Sequence, residues 1–133
     1  MYCRLASRYG ADEAAEIMIV SLLFVCLGGA IGGATRYALS VTLPRLVSTM
    51  IANCIACVVA GIALQCFSTA TLGYAALLVG VAGALSTWST LAAELGQLLT
   101  ENRYGTCFLY FGATMVGGTA ALALGSLIGG LCA

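Results

Sequence analysis

The chain has 133 residues, 62% apolar and only 8% charged, with five arginines against five carboxylates and neither lysine nor histidine. A soluble domain carries about a quarter charged residues, so this composition cannot cover a water-facing surface and describes an integral membrane protein. The absence of histidine removes His-based triads, imidazole proton switches and His-ligated zinc or haem. A net charge of zero leaves no basic footprint for nucleic acid.

Residues 1–16 form a short polar N-terminal segment holding Arg4 and Arg8. Asp12, Glu13 and Glu16 immediately precede the first apolar stretch, which is not the order of a signal peptide. Four apolar runs follow at about 17–35, 46–67, 72–93 and 106–132. At about 1.5 Å per residue each is long enough to cross a hydrocarbon core of about 30 Å. The expected fold is all-α: a four-helix transmembrane domain over residues 17–133 that leaves no room for a separate soluble domain.

In the first run, Gly28-Gly29 with Gly32-Gly33 reads as a helix-packing stripe, because small residues let backbones approach in lipid. No strand precedes it, so it is not a dinucleotide loop. Pro44 falls in the first connection beside Arg45, where it stops one helix and starts the next. The second run carries Asn53, a full amide at membrane depth, which serves either as an interhelical hydrogen bond or as part of a site. Cys54 and Cys57 have redox or zinc spacing, but they sit inside this run with no second pair and no lysine or histidine to lower a thiol pKa. The odd total of seven cysteines argues against a closed disulfide set, and small apolar packing is the better reading.

The third run contains Gly83-Ala84-Leu85-Ser86-Thr87-Trp88-Ser89-Thr90. Its hydroxyl residues compete locally for backbone groups. The segment therefore either unwinds around an ion site or a polar cavity, or stays helical with its hydroxyls bonded back to i−4 carbonyls. Glu94 follows at the membrane edge. In the fourth run Tyr110, Thr114 and Gly118 share one helical face, which alone is ordinary packing. Gly117-Gly118, and Gly125 with Gly129-Gly130, are further contact faces. Four spans place Arg4 and Arg8 on one membrane side and Arg36, Arg45 and Arg103 on the other. That balance gives no firm orientation by the positive-inside rule. Either a distal signal or a partner decides it, or the chain inserts both ways and pairs with an inverted copy.

Taken together these segments resemble a known family. Gly28 to Tyr37 resembles the GGxxGAxxRY opening of the CrcB/Fluc fluoride channels. Thr49 to Cys57 with Gly61 is similar to their second-helix signature around an asparagine, and Gly83 to Glu94 to their third-helix motif G-x-x-T-T-F-S-T-F-x-x-E. The tyrosine and small polar stripe of the fourth run is similar too. The resemblance implies an antiparallel, dual-topology homodimer in a bacterial-type cytoplasmic membrane, with a third helix broken near mid-membrane. It implies two narrow pathways for passive fluoride export and a structural sodium ion on the dimer axis. The sodium would be held by the main-chain carbonyls of Gly83 and Ser86. The fluoride pathway would comprise Asn53, Trp88, Ser89, Thr90, Leu91, Tyr110 and Thr114, with Arg36 and Glu94 as charges at its ends.

The chemistry suits the implied ion. Fluoride is small and strongly hydrated, so amide and hydroxyl donors must replace its water, and an aromatic edge suits an anion better than a ring face. Two residues depart from the family pattern: Trp88 and Leu91 stand where it has phenylalanines, and Leu91 has no ring. Two alternatives follow. One is a weakly conducting subunit that works only beside a paralogous chain. The other is a small proton-coupled multidrug exporter, which needs a carboxylate within the first span that residues 17–35 do not contain. No nucleophile–base pair lies at membrane depth, so an enzyme is not expected.

Overall fold

The computed structural model describes residues 11–68 and 71–132. Arg4, Arg8, Cys3 and the Thr69-Ala70 part of the second connection lie outside them. Helix α1 spans Ala11–Thr42 and α2 spans Arg45–Cys66. The third span is composite: α3 (Leu72–Tyr74), a π-helical segment (Ala75–Ala82), α4 (Gly83–Leu85) and, after an interruption, α5 (Trp88–Thr100). Helix α6, Tyr104–Cys132, ends the described chain. Four stretches are long and apolar enough to cross a membrane: Ala15–Thr42, Arg45–Cys66, Leu72–Thr100 and Tyr104–Leu131.

Two of these outlast their apolar runs. Helix α1 passes Arg36 and continues to Thr42, and α5 passes Glu94 and continues to Thr100. A charge ends an apolar run, but it does not interrupt a backbone hydrogen-bond ladder. Within α1 the hydroxyls of Thr35 and Thr42 donate back to the Ile31 and Ala38 carbonyls, at 2.9 and 2.8 Å. Pro44 precedes α2 with φ −55°, and its carbonyl accepts the Ser48 N–H at 2.9 Å. Helix α5 closes on Asn102 at φ 57°, the left-handed conformation that asparagine tolerates. The Arg103 N–H reaches back to the Leu98 carbonyl at 2.9 Å and the Asn102 N–H to Leu99 at 3.1 Å, which satisfies carbonyls of the last turn.

Packing runs through small residues. Helix α2 lies along α6, and α1 lies along the π-helical segment. A Cβ on Gly61 would stand 2.5 Å from the Leu122 carbonyl oxygen, and one on Gly125 would strike the Val58 carbonyl. Gly28 and Gly32 meet the Ala76 and Val81 carbonyls in the same way, whereas Gly29 and Gly33 have nothing near them. The stripe is therefore one residue wide on each turn, at i and i+4. Cys54 and Cys57 fill the space over Gly117 and Gly118, with sulfurs 3.4 and 3.6 Å from where a Cβ would stand. Two buried clusters result. Ala52, Ala56, Ala82 and Leu85 form one, and Leu91, Leu98, Cys107 and Tyr110 form the other. Leu27, Ile31, Phe108, Leu109, Val116 and Leu131 stay exposed, as side chains that meet hydrocarbon rather than water should.

Candidate functional site

The third span breaks at two residues. Ser86 (φ −71°, ψ 147°) and Thr87 (φ −148°, ψ 109°) are extended, and α5 restarts at Trp88. Local chemistry explains the restart: the Thr87 hydroxyl caps α5 by accepting the Thr90 N–H at 3.2 Å, and donates to Thr90 Oγ1 at 2.9 Å. A tertiary bond explains why the break persists. In a continuous helix the Thr87 N–H would donate to the Gly83 carbonyl; here it donates to Asn53 Oδ1 at 2.8 Å. Asn53 thus takes one donor out of the helical ladder and leaves the Gly83 carbonyl without it. The same bond fixes the orientation of the amide, because only its oxygen can accept. The Asn53 NH₂ makes no hydrogen bond to another described residue, and no described side-chain polar atom is buried without a partner. This NH₂ is therefore available to an incoming acceptor.

Two cavities meet at the break. The outer one, about 310 Å³, is lined by Arg36, Tyr37, Ser40, Arg45, Thr87 and Thr90 among others. The inner one, about 380 Å³, includes Asn53, Ser86, Thr87, Trp88, Leu91 and Thr114 in its lining. Of the expected pathway residues, Asn53, Trp88, Leu91 and Thr114 therefore line one cavity and Thr90 the other. Trp88 is 69% exposed and Leu91 2%, so the two positions three residues apart form the rim and the floor of the inner cavity. Ser89 is exposed beside the break, 3.4 Å from the Thr87 hydroxyl. The Thr114 hydroxyl donates back to the Tyr110 carbonyl at 2.8 Å, so toward the cavity it presents an acceptor. Gly83 and Ser86, whose carbonyls the resemblance assigns to sodium, are both exposed.

Tyr110 and Glu94 belong together, and not at a surface. Glu94 is 2% exposed, and both of its carboxylate oxygens are engaged. Thr49 donates to Oε1 at 3.0 Å, Tyr110 donates to Oε2 at 2.6 Å, and Arg45 Nε lies 3.7 Å from Oε1. Arg45 also donates to Gln97 Oε1, and Gln97 Nε2 donates to Glu101 at 2.9 Å. A buried carboxylate needs such company, since an unpaired charge at this depth is expensive. The phenol proton of Tyr110 is therefore spent on Glu94 and is not free for an anion. Arg36, the other expected end charge, is exposed at the outer cavity. Arg45, Thr49 and Thr87 are site residues that the motif comparison did not single out. The i, i+4, i+8 spacing of Arg45, Thr49 and Asn53 on α2 is the signal that would have found the first two.

Fold and site together define a multi-pass membrane protein whose third span is interrupted between two cavities, one lined largely by polar side chains and the other mostly apolar around Asn53 and Thr114. Residues 23–126 match the family described as CrcB-like protein, Camphor Resistance (CrcB). The chain is 45% identical over 96 residues to the fluoride-specific ion channel FluC 2 of Corynebacterium diphtheriae, covering 72% of this chain and 88% of that one. It is 35% identical over 122 residues to fluoride-specific ion channel FluC of Xanthomonas oryzae pv. oryzae, covering 85% and 90%. With the FluC of Escherichia coli (strain K12) it shares 33% identity over 116 residues, covering 80% and 91%. The chain belongs to the CrcB family, whose members are ion channels and not enzymes.

Proposed function

We propose that the chain is a passive, fluoride-selective channel that lets cytoplasmic fluoride leave the cell. The observation that carries this reading is the Asn53–Thr87 bond at 2.8 Å. It holds a break open in a membrane span and points an unpaired amide donor toward a cavity that Thr114 and Ser86 also line. Fluoride gives up water only to strong donors in close reach. The Asn53 NH₂ and the Thr90 hydroxyl, which accepts from Thr87 and so keeps its own proton, supply them. Tyr110 acts through Glu94, anchoring α6 to α5, while the exposed edge of Trp88 offers the positive rim of a ring. Arg36 and Arg45 at the outer cavity attract anions from water.

The active unit of this proposal is an antiparallel homodimer with sodium on its axis. The donor set suits that ion: Gly83 has lost its helical donor, Gly83 and Ser86 are exposed, and no cluster of His, Cys, Asp or Glu among the described residues could hold a metal instead. The two carbonyls from each chain would hold it, and the ion would supply a fixed positive charge that offsets anion desolvation. A second reading, a weakly conducting subunit paired with a paralogue, draws on Leu91, which leaves the inner cavity floor without a ring. Efflux from liposomes containing only this chain decides between them. Rapid fluoride loss with chloride retained supports the homodimeric channel; fluoride retention restored to efflux by a paralogous chain supports the second reading. Fluoride retained in both cases sinks both.

A further inference from the structure

The break does more than open the span, because it divides the space beside it. Of all the residues lining the outer and inner cavities, Thr87 alone lines both. It is 7% exposed, and its hydrogen bonds hold it in place: its N–H donates to Asn53 Oδ1, its hydroxyl oxygen accepts from the Thr90 N–H, and its hydroxyl proton goes to Thr90 Oγ1. Ser89 Oγ is a longer contact at 3.4 Å. The donors on its two sides are arranged alike. Thr90 faces the outer cavity with a free proton, and Asn53 faces the inner cavity with a free NH₂. We propose that Thr87 is the partition through which the permeating anion passes, its hydroxyl handing the ion from Thr90 to Asn53.

The side chain is built for that. The cap on α5 uses only a lone pair of the hydroxyl oxygen, so the proton can leave Thr90 Oγ1 and turn to an anion without uncapping the helix. The methyl group adds bulk to a residue that lines both cavities, so its loss would widen a passage between them. A larger anion sheds its water more readily than fluoride but does not fit between the three donors, so it is turned back at this residue by size. Selectivity on this view is set at Thr87 as well as at the aromatic rim. The inference rests on the channel reading above.

The test uses the whole chain in liposomes and three substitutions that all keep a helix-capping oxygen. Thr87→Asp and Thr87→Asn differ in charge and little in size. Fluoride efflux through the aspartate variant should be at least about tenfold below that of the asparagine variant, because a fixed carboxylate about 4 Å from the ion's path repels it. Thr87→Ser keeps the hydroxyl and loses the methyl, so its chloride-to-fluoride permeation ratio should rise. Elution in detergent and thermal unfolding report whether each variant folds, and the serine variant decides alone if the aspartate variant does not. Equal efflux through the aspartate and asparagine variants, or unaltered chloride exclusion in the serine variant, assigns Thr87 to capping only and overturns the inference. An unmodified chain that carries no fluoride overturns the channel reading instead.

Discussion

Asn53 puts the two ends of one amide to different uses, and substitutions can separate them. Its oxygen holds the Thr87 N–H at 2.8 Å, while its nitrogen is free. Asn53→Ala removes both, and a buried N–H left without a partner costs about 1–3 kcal/mol. The expected result is slower efflux together with a lower unfolding temperature in detergent. Slower efflux at unchanged stability would show that the oxygen contributes nothing to the break. Leu91 poses the opposite problem. Its position calls for a ring by family resemblance, yet it is one of the largest fully buried side chains and packs with Leu98, Cys107 and Tyr110. Leu91→Phe adds volume to a filled site, at a cost of about 1–3 kcal/mol. We expect it to destabilise the fold and slow efflux; faster efflux at unchanged stability would mean that the ring turns into the inner cavity instead.

At the scale of elements, the Glu94 carboxylate joins three helices. Thr49 reaches it from α2 and Tyr110 from α6, while Glu94 itself belongs to α5. A hydrogen bond to a charged group contributes about 1.5–3 kcal/mol, so Tyr110→Phe should lower stability by that order. In a double-mutant cycle with Thr49→Val the two losses should not add, since both donors serve one carboxylate. Additive losses in unfolding experiments would dismiss a joint clip. This network also shows what the linear chain conceals. The four spans were legible, because apolar runs of that length have few other uses. The break was legible as one of two readings, because Ser86, Thr87, Ser89 and Thr90 are better at caps than in helix interiors. The partner that fixes it lies 34 residues away and belongs to another helix, so only the tertiary structure settles which reading applies. Glu94 looked like an edge charge for a similar reason. Its burial depends on Arg45, Thr49 and Tyr110 arriving from two other helices, and no spacing around Glu94 announces them.

For the whole molecule, Gly83 offers the sharpest test of a second copy. A Cβ there would meet only the Leu78 carbonyl oxygen, at 3.7 Å, so the single chain has room for a larger residue. If two inverted chains meet at this point, Gly83→Val should leave each chain folded while abolishing the dimer and sodium-dependent stability. Ser86→Ala, which keeps the carbonyl, should be mild. A dimer of Gly83→Val that elutes like the unmodified protein would place the axis elsewhere. Orientation can be tested separately. The bond of Arg45 to Gln97 shows that the first and third connections share one end of the bundle, as an even number of crossings between them requires. With arginines on both sides in near balance, accessibility labelling should find that end on both membrane faces. Two or three lysines added after Cys132 should fix one orientation and abolish activity of the chain alone. A single orientation in the unmodified protein would refute dual insertion.

The π-helical segment has a consequence of rotational phase. Its wider turns spend more residues per revolution than an α-helix does, as the Gly83 N–H reaching back to the Leu78 carbonyl shows. Each extra residue shifts a helical wheel by about 100°. A wheel drawn from Leu72 is out of step by Gly83, and the extended pair at Ser86 and Thr87 then erases what phase remains. Restarted at Trp88, the wheel recovers a clean buried line of Leu91, Glu94 and Leu98. The two halves of the third span therefore choose their faces independently: the first half turns to α1, while the second presents its carboxylate to α2 and α6 without any twist being passed along the axis.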